Sequence, residues 1–155
     1  GHDGRKLNGQ GLSYAVANRG ADHMYAVFYS YEYPLVGKDK AMDPAGLEGK
    51  PPALVEKENQ MALNDSGVVC KFSRDFMTPE RYEMLFGADY EDLLAVGGRV
   101  VDLERAFNNE RGYDRSEDAL PYEIEGLETA LDEYYDHRGW TADGVVPDDK
   151  RPASA

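Results

Sequence analysis

The stretch between Asp89 and Asn109 constrains the fold most, because its pattern is that of one long helix. Its apolar side chains recur at intervals of three and four residues, at Leu93, Val96, Val100, Leu103 and Phe107. In a helix of 3.6 residues per turn, this spacing puts all of them on one face. We therefore predict a helix that follows Asp89 as its capping residue, ends near Asn109 and buries this apolar face.

Gly97 and Gly98 lie in the middle of that predicted helix. A glycine in a helix interior costs about 1 kcal/mol relative to alanine. In return, the missing side chain lets another backbone come close. We predict that the pair packs against a second helix or against an element that carries a cofactor.

Proline, glycine and asparagine mark the boundaries of further helices. We expect helices over residues 9–20, 52–63, 78–87 and 127–137, because Thr-Pro pairs start helices and Gly or Asn ends them. The first of these ends at Asn18 or Gly20. On the helices predicted over residues 78–87 and 127–137, or just beyond them, we expect several large apolar side chains to be buried. These are Tyr82, Leu85, Phe86, Leu127, Leu131, Tyr134 and Trp140.

The first third of the chain is less regular. Residues 34–52 contain four prolines and three glycines, which predicts a loop region. The aromatic stretch 21–31 fits either a strand or a buried helix, because periodicity does not separate the two. We predict a mainly α fold, an irregular helical bundle with a loop-rich N-terminal third. The helical domain is expected over residues 1–143, and a mobile polar tail over 144–155.

Composition excludes several classes of function. The chain has 155 residues and a formal net charge of −13. Nucleic acids and anionic membrane surfaces bind clustered Lys and Arg, so neither is an expected partner. No run approaches the roughly 20 apolar residues of a membrane helix, and no apolar leader is visible. A single cysteine excludes an intramolecular disulfide and fits the reducing cytoplasm.

That cysteine, Cys70, stands five positions after Asp65, in the connection between two predicted helices. A loop of this kind can aim a thiolate and a carboxylate at one ligand. The alternative is a buried structural cysteine, since free Cys is among the most buried residue types. The residues between the two positions do not decide between these interpretations.

The segment from Asp65 to Cys70 resembles the D-x-x-G-L-C motif of the aldehyde ferredoxin oxidoreductase family, tungsten-pterin enzymes with an iron–sulfur cluster. The family's glycine falls on Val68, and a glycine stands one place earlier, at Gly67. Because glycine alone enters positive-φ regions freely, a valine at this position could change the path of the backbone between Asp65 and Cys70. Further similar segments keep the family's order and cover nearly the whole chain, at residues 12–23, 70–80, 101–108 and 131–140.

The resemblance implies roles for three residues. Cys70 would be the fourth thiolate ligand of a [4Fe-4S] cluster, and Asp65 would accept hydrogen bonds from pterin N–H groups. His23 falls where the family has an active-site histidine near tungsten, and it could pass a proton to or from the substrate oxygen. The alternatives are an exposed helix-end residue for Asp65 and a histidine satisfied in the core for His23. Lys71 and Arg19 could offset cofactor phosphates or form surface salt bridges.

The resemblance extends only to the family's C-terminal helical portion. The pterin-binding β domain and the C-x-x-C-x-x-x-C run that supplies the other three thiolates are not in the chain. We therefore expect a domain that is inactive and cofactor-free alone. In the full-length protein it would join the remaining N-terminal part, a tungsten-bis-pterin and one cluster.

The implied reaction is the oxidation of a small aldehyde to a carboxylic acid, with ferredoxin as electron acceptor. Two alternatives stay open at this point. One is a family relative that acts on another carbonyl or acyl substrate. The other is a helical binding or structural module without a cofactor.

Overall fold

A computed structural model describes residues 2–33 and 41–151, except for the side chains of residues 73–75. These residues form α-helices and short 3₁₀ helices, and no strand occurs among them. The α-helices are α1 (Asn8–Val16), α2 (His23–Ala26), α3 (Tyr29–Glu32), α4 (Lys50–Ser66), α5 (Pro79–Phe86), α6 (Tyr90–Asn109) and α7 (Leu127–Arg138). The 3₁₀ helices are Lys71–Phe76, Arg115–Glu117 and Asp148–Lys150. The mainly α prediction is confirmed.

The aromatic stretch 21–31 contains the two shortest helices, α2 and α3, rather than a strand. Part of the predicted loop region, residues 34–40, lies outside the described residues. No described helix combines the length and the apolar character that crossing a membrane requires.

Helices α4 and α6 form the centre of the fold and pack closely at Gly97. A Cβ added to Gly97 would lie 2.9 Å from the carbonyl carbon of Asn59 and 3.2 Å from the amide nitrogen of Leu63, both on α4. No side chain fits into this space. The prediction that the glycine pair allows close packing against a second helix is confirmed.

The predicted apolar face of α6 is wrong in its C-terminal half. Leu103 and Phe107 are 44% and 54% exposed, whereas Val101, Arg105 and Ala106 are buried. Gly97, Val101 and Arg105 follow one another at intervals of four residues, and this stripe of α6 is buried instead of the predicted one. Burial of that arginine is possible because its guanidinium binds the buried carboxylate of Asp118, with Nη2 and Oδ2 2.7 Å apart.

The predicted buried side of α5 is also only partly correct. Tyr82 is buried against Leu63 of α4 and Leu93 of α6, and its hydroxyl donates to Asn64. Leu85 and Phe86 are 60% and 40% exposed. Tyr82 is the buried residue of this helix of 8 residues, and the ring of Phe86 stacks beside it with centroids 6.3 Å apart while staying partly exposed.

The main core lies between α1, α4 and α7. Its fully buried members include Leu12, Leu54, Leu131, Tyr134 and Val146, and Trp140 packs at its edge. On α7, the expected burial of Leu131, Tyr134 and Trp140 is confirmed, and Leu127 is half-buried.

The segment after residue 143 packs against the helices as far as the structure describes it. Val146 is fully buried, and the carbonyl of Gly144 accepts a 2.7 Å hydrogen bond from Nε of Arg105. The predicted mobility of residues 144–155 stays a prediction. The residues from 152 onward lie outside the described part of the chain.

The contact between α4 and α6 predicts opposite effects for two adjacent substitutions. Gly97→Ala should lower the free energy of unfolding by about 2 kcal/mol, because its methyl group meets backbone that can yield only if the helices separate. Chemical denaturation of the 155-residue chain measures this effect.

Gly98→Ala is the matched control, since its nearest neighbour is the side chain of Asn59 at 3.4 Å. Alanine's better helix propensity should leave this variant as stable as the parent, or more stable by up to about 1 kcal/mol. Equal destabilisation by both substitutions would contradict the close backbone contact.

Candidate functional site

Helix α4 ends at Ser66, and a short turn leads from it to Cys70. Within the turn, the amide of Val69 donates to the carbonyl of Asn64 at 2.8 Å, and Val68 has a φ of 56°. A β-branched residue in this left-handed region is a conformational outlier. The position of the family's glycine therefore keeps a backbone conformation that suits glycine, although valine occupies it.

Cys70 is exposed and immediately precedes the 3₁₀ helix Lys71–Phe76. The alternative of a buried structural cysteine is therefore wrong. Its assignment as a cluster ligand stays a prediction. Large apolar side chains on both sides of it are exposed as well, with Val68 at 92% and Phe72 at 64%.

Asp65 lies on the last turn of α4 with half of its side chain exposed, and its Oδ2 is 2.8 Å from Nζ of Lys71. The guanidinium of Arg19 is 4.0 Å from the same oxygen. Asp65 is thus an exposed helix-end residue that also takes part in an ion pair. The predicted salt bridges of Lys71 and Arg19 are both present.

His23 is the first residue of α2 and is exposed, so the alternative of a core histidine is wrong. Asp22 caps this helix by accepting a 2.8 Å hydrogen bond from the amide of Met24. Burial acts to raise the pKa of Asp22, but the bond from Met24 and the nearby Arg19 outweigh it and lower the pKa. The helix start beside His23 therefore carries a firmly ionised carboxylate.

His23 borders an open cavity of about 740 Å³, and its other lining residues are His2, Asp3 and Tyr14. The rings of His2 and His23 have centroids 5.2 Å apart, and His2 stacks on Tyr29 at 3.7 Å. Burial and the neighbouring His23 lower the pKa of His2. The sequence contains only three histidines, but no local pattern predicts that His2 and His23 meet.

The segments that carry the three predicted site residues meet through Lys71. Its Nζ binds Asp65 at 2.8 Å and the carbonyl of Met24 at 3.0 Å, while Cys70 and His23 are the chain neighbours of Lys71 and Met24. Lys71 therefore links the segment that carries Asp65 and Cys70 to the distant segment that carries His23.

Residues 1–151 match the family described as "Aldehyde ferredoxin oxidoreductase, domains 2 & 3". The chain belongs to the aldehyde ferredoxin oxidoreductase family. It is 33% identical to a tungsten-containing aldehyde ferredoxin oxidoreductase of Pyrococcus furiosus, and 32% identical to proteins of the same name from Pyrococcus abyssi and Thermococcus kodakarensis. Each match covers 96% of this chain but only 28% of the relative's length.

The donor atoms at this end of α4 can be compared with what an iron–sulfur cluster requires. A [4Fe-4S] cluster is held by four thiolates, and Cys70 offers one, exposed at the surface. In the described part of the chain, no three His, Cys, Asp or Glu side chains are grouped so as to hold a metal ion. One exposed thiol cannot hold such a cluster alone, but it could supply one of the four ligands.

The turn before Cys70 predicts a stabilising substitution. Val68→Gly should raise the free energy of unfolding of the chain by about 1 kcal/mol, because glycine adopts a φ of 56° without strain. The greater freedom of glycine in the unfolded chain offsets part of this gain. Denaturant titration, followed by circular dichroism, measures the change.

Val69→Gly serves as the comparison, since Val69 has no positive φ and packs on the small cluster around Tyr82. This variant should lose about 1 kcal/mol or more through reduced burial and added chain freedom. Destabilisation by Val68→Gly would show that the turn at this position is not strained.

Proposed function

We propose that this chain is part of a tungsten-pterin, iron–sulfur oxidoreductase that oxidises aldehydes to carboxylic acids and delivers electrons to ferredoxin. The observation that carries the proposal is the pair of contacts through which Lys71 joins the segment of Asp65 and Cys70 to the segment of His23. When bound, the tungsten centre supplies the two-electron oxidation, and the cluster transfers the electrons singly.

Cys70 contributes the last of the four cluster thiolates. Its exposure supports this role, because a ligand to a cluster shared with another part of the enzyme must be accessible from this surface. The exposed Val68, Phe72 and Phe76 nearby support the same conclusion, since an apolar area of this kind usually marks an interface.

Asp65 binds the pterin through its carboxylate. Oδ2 already pairs with Lys71, but a carboxylate has about four acceptor positions and half of this side chain is open. Hydrogen bonds between N–H groups and an ionised carboxylate are among the stronger ones in proteins. The ammonium of Lys71 keeps Asp65 directed toward the turn that carries Cys70.

His23 moves a proton at the substrate oxygen. An imidazole is suited to this step near neutral pH, and His23 lies open beside a cavity whose size accommodates a small aldehyde. Tyr14 and His2 add polar groups to the cavity wall, which can hydrogen-bond a carbonyl compound.

The chain spans 28% of the length of the relatives that it matches. We propose that the remaining part of the enzyme provides the pterin-binding β domain and the other three thiolates, and that it covers the surface around Cys70. The chain alone is then inactive, and the assembled enzyme works in the reducing cytoplasm, where thiolate-bound clusters persist.

Metal analysis of the complete enzyme tests the proposal. We expect tungsten, pterin and about four irons per cluster, and a Cys70→Ser variant should lose iron and the EPR signal of the reduced cluster. A complete enzyme without tungsten and pterin would contradict the proposed function. Unchanged iron in the variant would contradict only the role of Cys70.

Asp65→Ala in the complete enzyme should weaken pterin retention by roughly 10- to 100-fold, because a hydrogen bond to a charged group contributes about 1.5–3 kcal/mol. Pterin and tungsten contents after gel filtration measure the effect. Asp136→Ala, which removes another exposed helix-end carboxylate, should retain both. Equal contents in the two variants would contradict the role of Asp65.

A further inference from the structure

Lys71 differs from an ordinary surface lysine. Its side chain is only 11% exposed, although it stands next to the exposed Cys70 at the start of a 3₁₀ helix. The ammonium contacts two groups from distant parts of the sequence, the carboxylate of Asp65 at 2.8 Å and the carbonyl of Met24 at 3.0 Å. The stem is thus packed, and the charge is held in one place.

Helix α2 depends on such contacts for its position. It has 4 residues, fewer than a helix needs to persist without support from packing. Its other contacts include the cap at Asp22, the buried side chains of Tyr25 and Ala26, and the hydroxyl of Tyr25, which donates to Glu104 of α6 at 2.8 Å. Lys71 adds the link between this helix and the turn after α4, at the residue next to His23.

Arg19 provides a weaker link between the same segments. Its closer partner is Asp22 at 2.9 Å, it approaches Asp65 only to 4.0 Å, and its side chain is 45% exposed. Exposed ion pairs of this kind contribute little, typically below about 1 kcal/mol. Arg19 therefore carries the same charge near the same carboxylate, but it reaches Asp65 through a longer and more exposed contact than Lys71 does.

We propose that Lys71 is a positioning residue, which fixes His23 and Asp65 relative to Cys70 and places one positive charge beside the cluster ligand. This inference rests on the proposed function for the identity of the cluster. The first effect acts on geometry, because a displacement of about 1 Å at a reacting group can lower the rate 100-fold. The second acts on the electron affinity of the cluster, because a nearby cation stabilises the reduced, more negative state.

The test compares the complete enzyme with its Lys71→Met, Lys71→Arg and Arg19→Gln variants. Lys71→Met should lower kcat about tenfold or more and shift the midpoint potential of the cluster to more negative values. Lys71→Arg keeps the charge, so the potential should return toward that of the parent. Its kcat should recover only in part, since a planar guanidinium does not reproduce both contacts of an ammonium. Arg19→Gln should change both quantities much less than Lys71→Met does, because its contact with Asp65 is longer and its side chain is more exposed.

A second measurement does not need bound cofactors. Hydrogen exchange at the amides of α2 in the 155-residue chain should be faster in Lys71→Met than in the parent or in Arg19→Gln. Unchanged exchange together with an unchanged potential would overturn the proposal. If the complete parent enzyme contained no cluster, the proposed function would fail, while faster exchange in Lys71→Met would still support the positioning of α2.

Discussion

The approach of two backbones at Gly97 is the contact on which the rest of the structure depends. Because no side chain separates α4 from α6 there, Asn59 and Leu63 lie directly against α6. The C-terminal end of α4 is thereby held at a defined distance from α6, and Asp65 lies on that end. The same α6 supplies Glu104, which accepts the hydrogen bond from the hydroxyl of Tyr25 on α2. Both segments that carry site residues are therefore positioned from one helix pair.

Buried ion pairs complete the packing around this helix pair. Glu58 of α4 binds Arg138 of α7, and Lys50 binds Glu32 at 2.6 Å, all four side chains being nearly inaccessible. Burial raises the pKa of Glu58, although Arg138 acts in the opposite direction. Desolvation of such charges offsets most of their attraction, so their main effect is to determine which helix faces meet.

The sequence was informative about some helix boundaries and less so about faces. The predicted ends of two helices are wrong, because α1 ends at Val16 rather than at Asn18 or Gly20, and α4 continues to Ser66 instead of ending at residue 63. Thr78-Pro79 and Gly87 delimit α5 correctly, and Asp89 precedes α6 as expected, because these residues act through local backbone geometry. Periodicity indicates which side chains share a face, but not what covers that face. Leu103 and Phe107 are exposed for this reason. Of the site, Asp65, Cys70 and His23 could be proposed from motifs, whereas the link through Lys71 and the stacking of His2 on Tyr29 join residues far apart in sequence.

The turn at Val68 bears on how distant relatives are found. The amides of Val68 and Val69 donate to the carbonyls of Asp65 and Asn64, and these backbone hydrogen bonds hold the chain in its left-handed bend although a valine stands there. A search pattern that demands glycine at this point would overlook chains that bend in the same way. The motif is therefore better described by its backbone torsion angles than by its residue types. A sequence pattern that accepts any residue at this position would also find chains with the same bend.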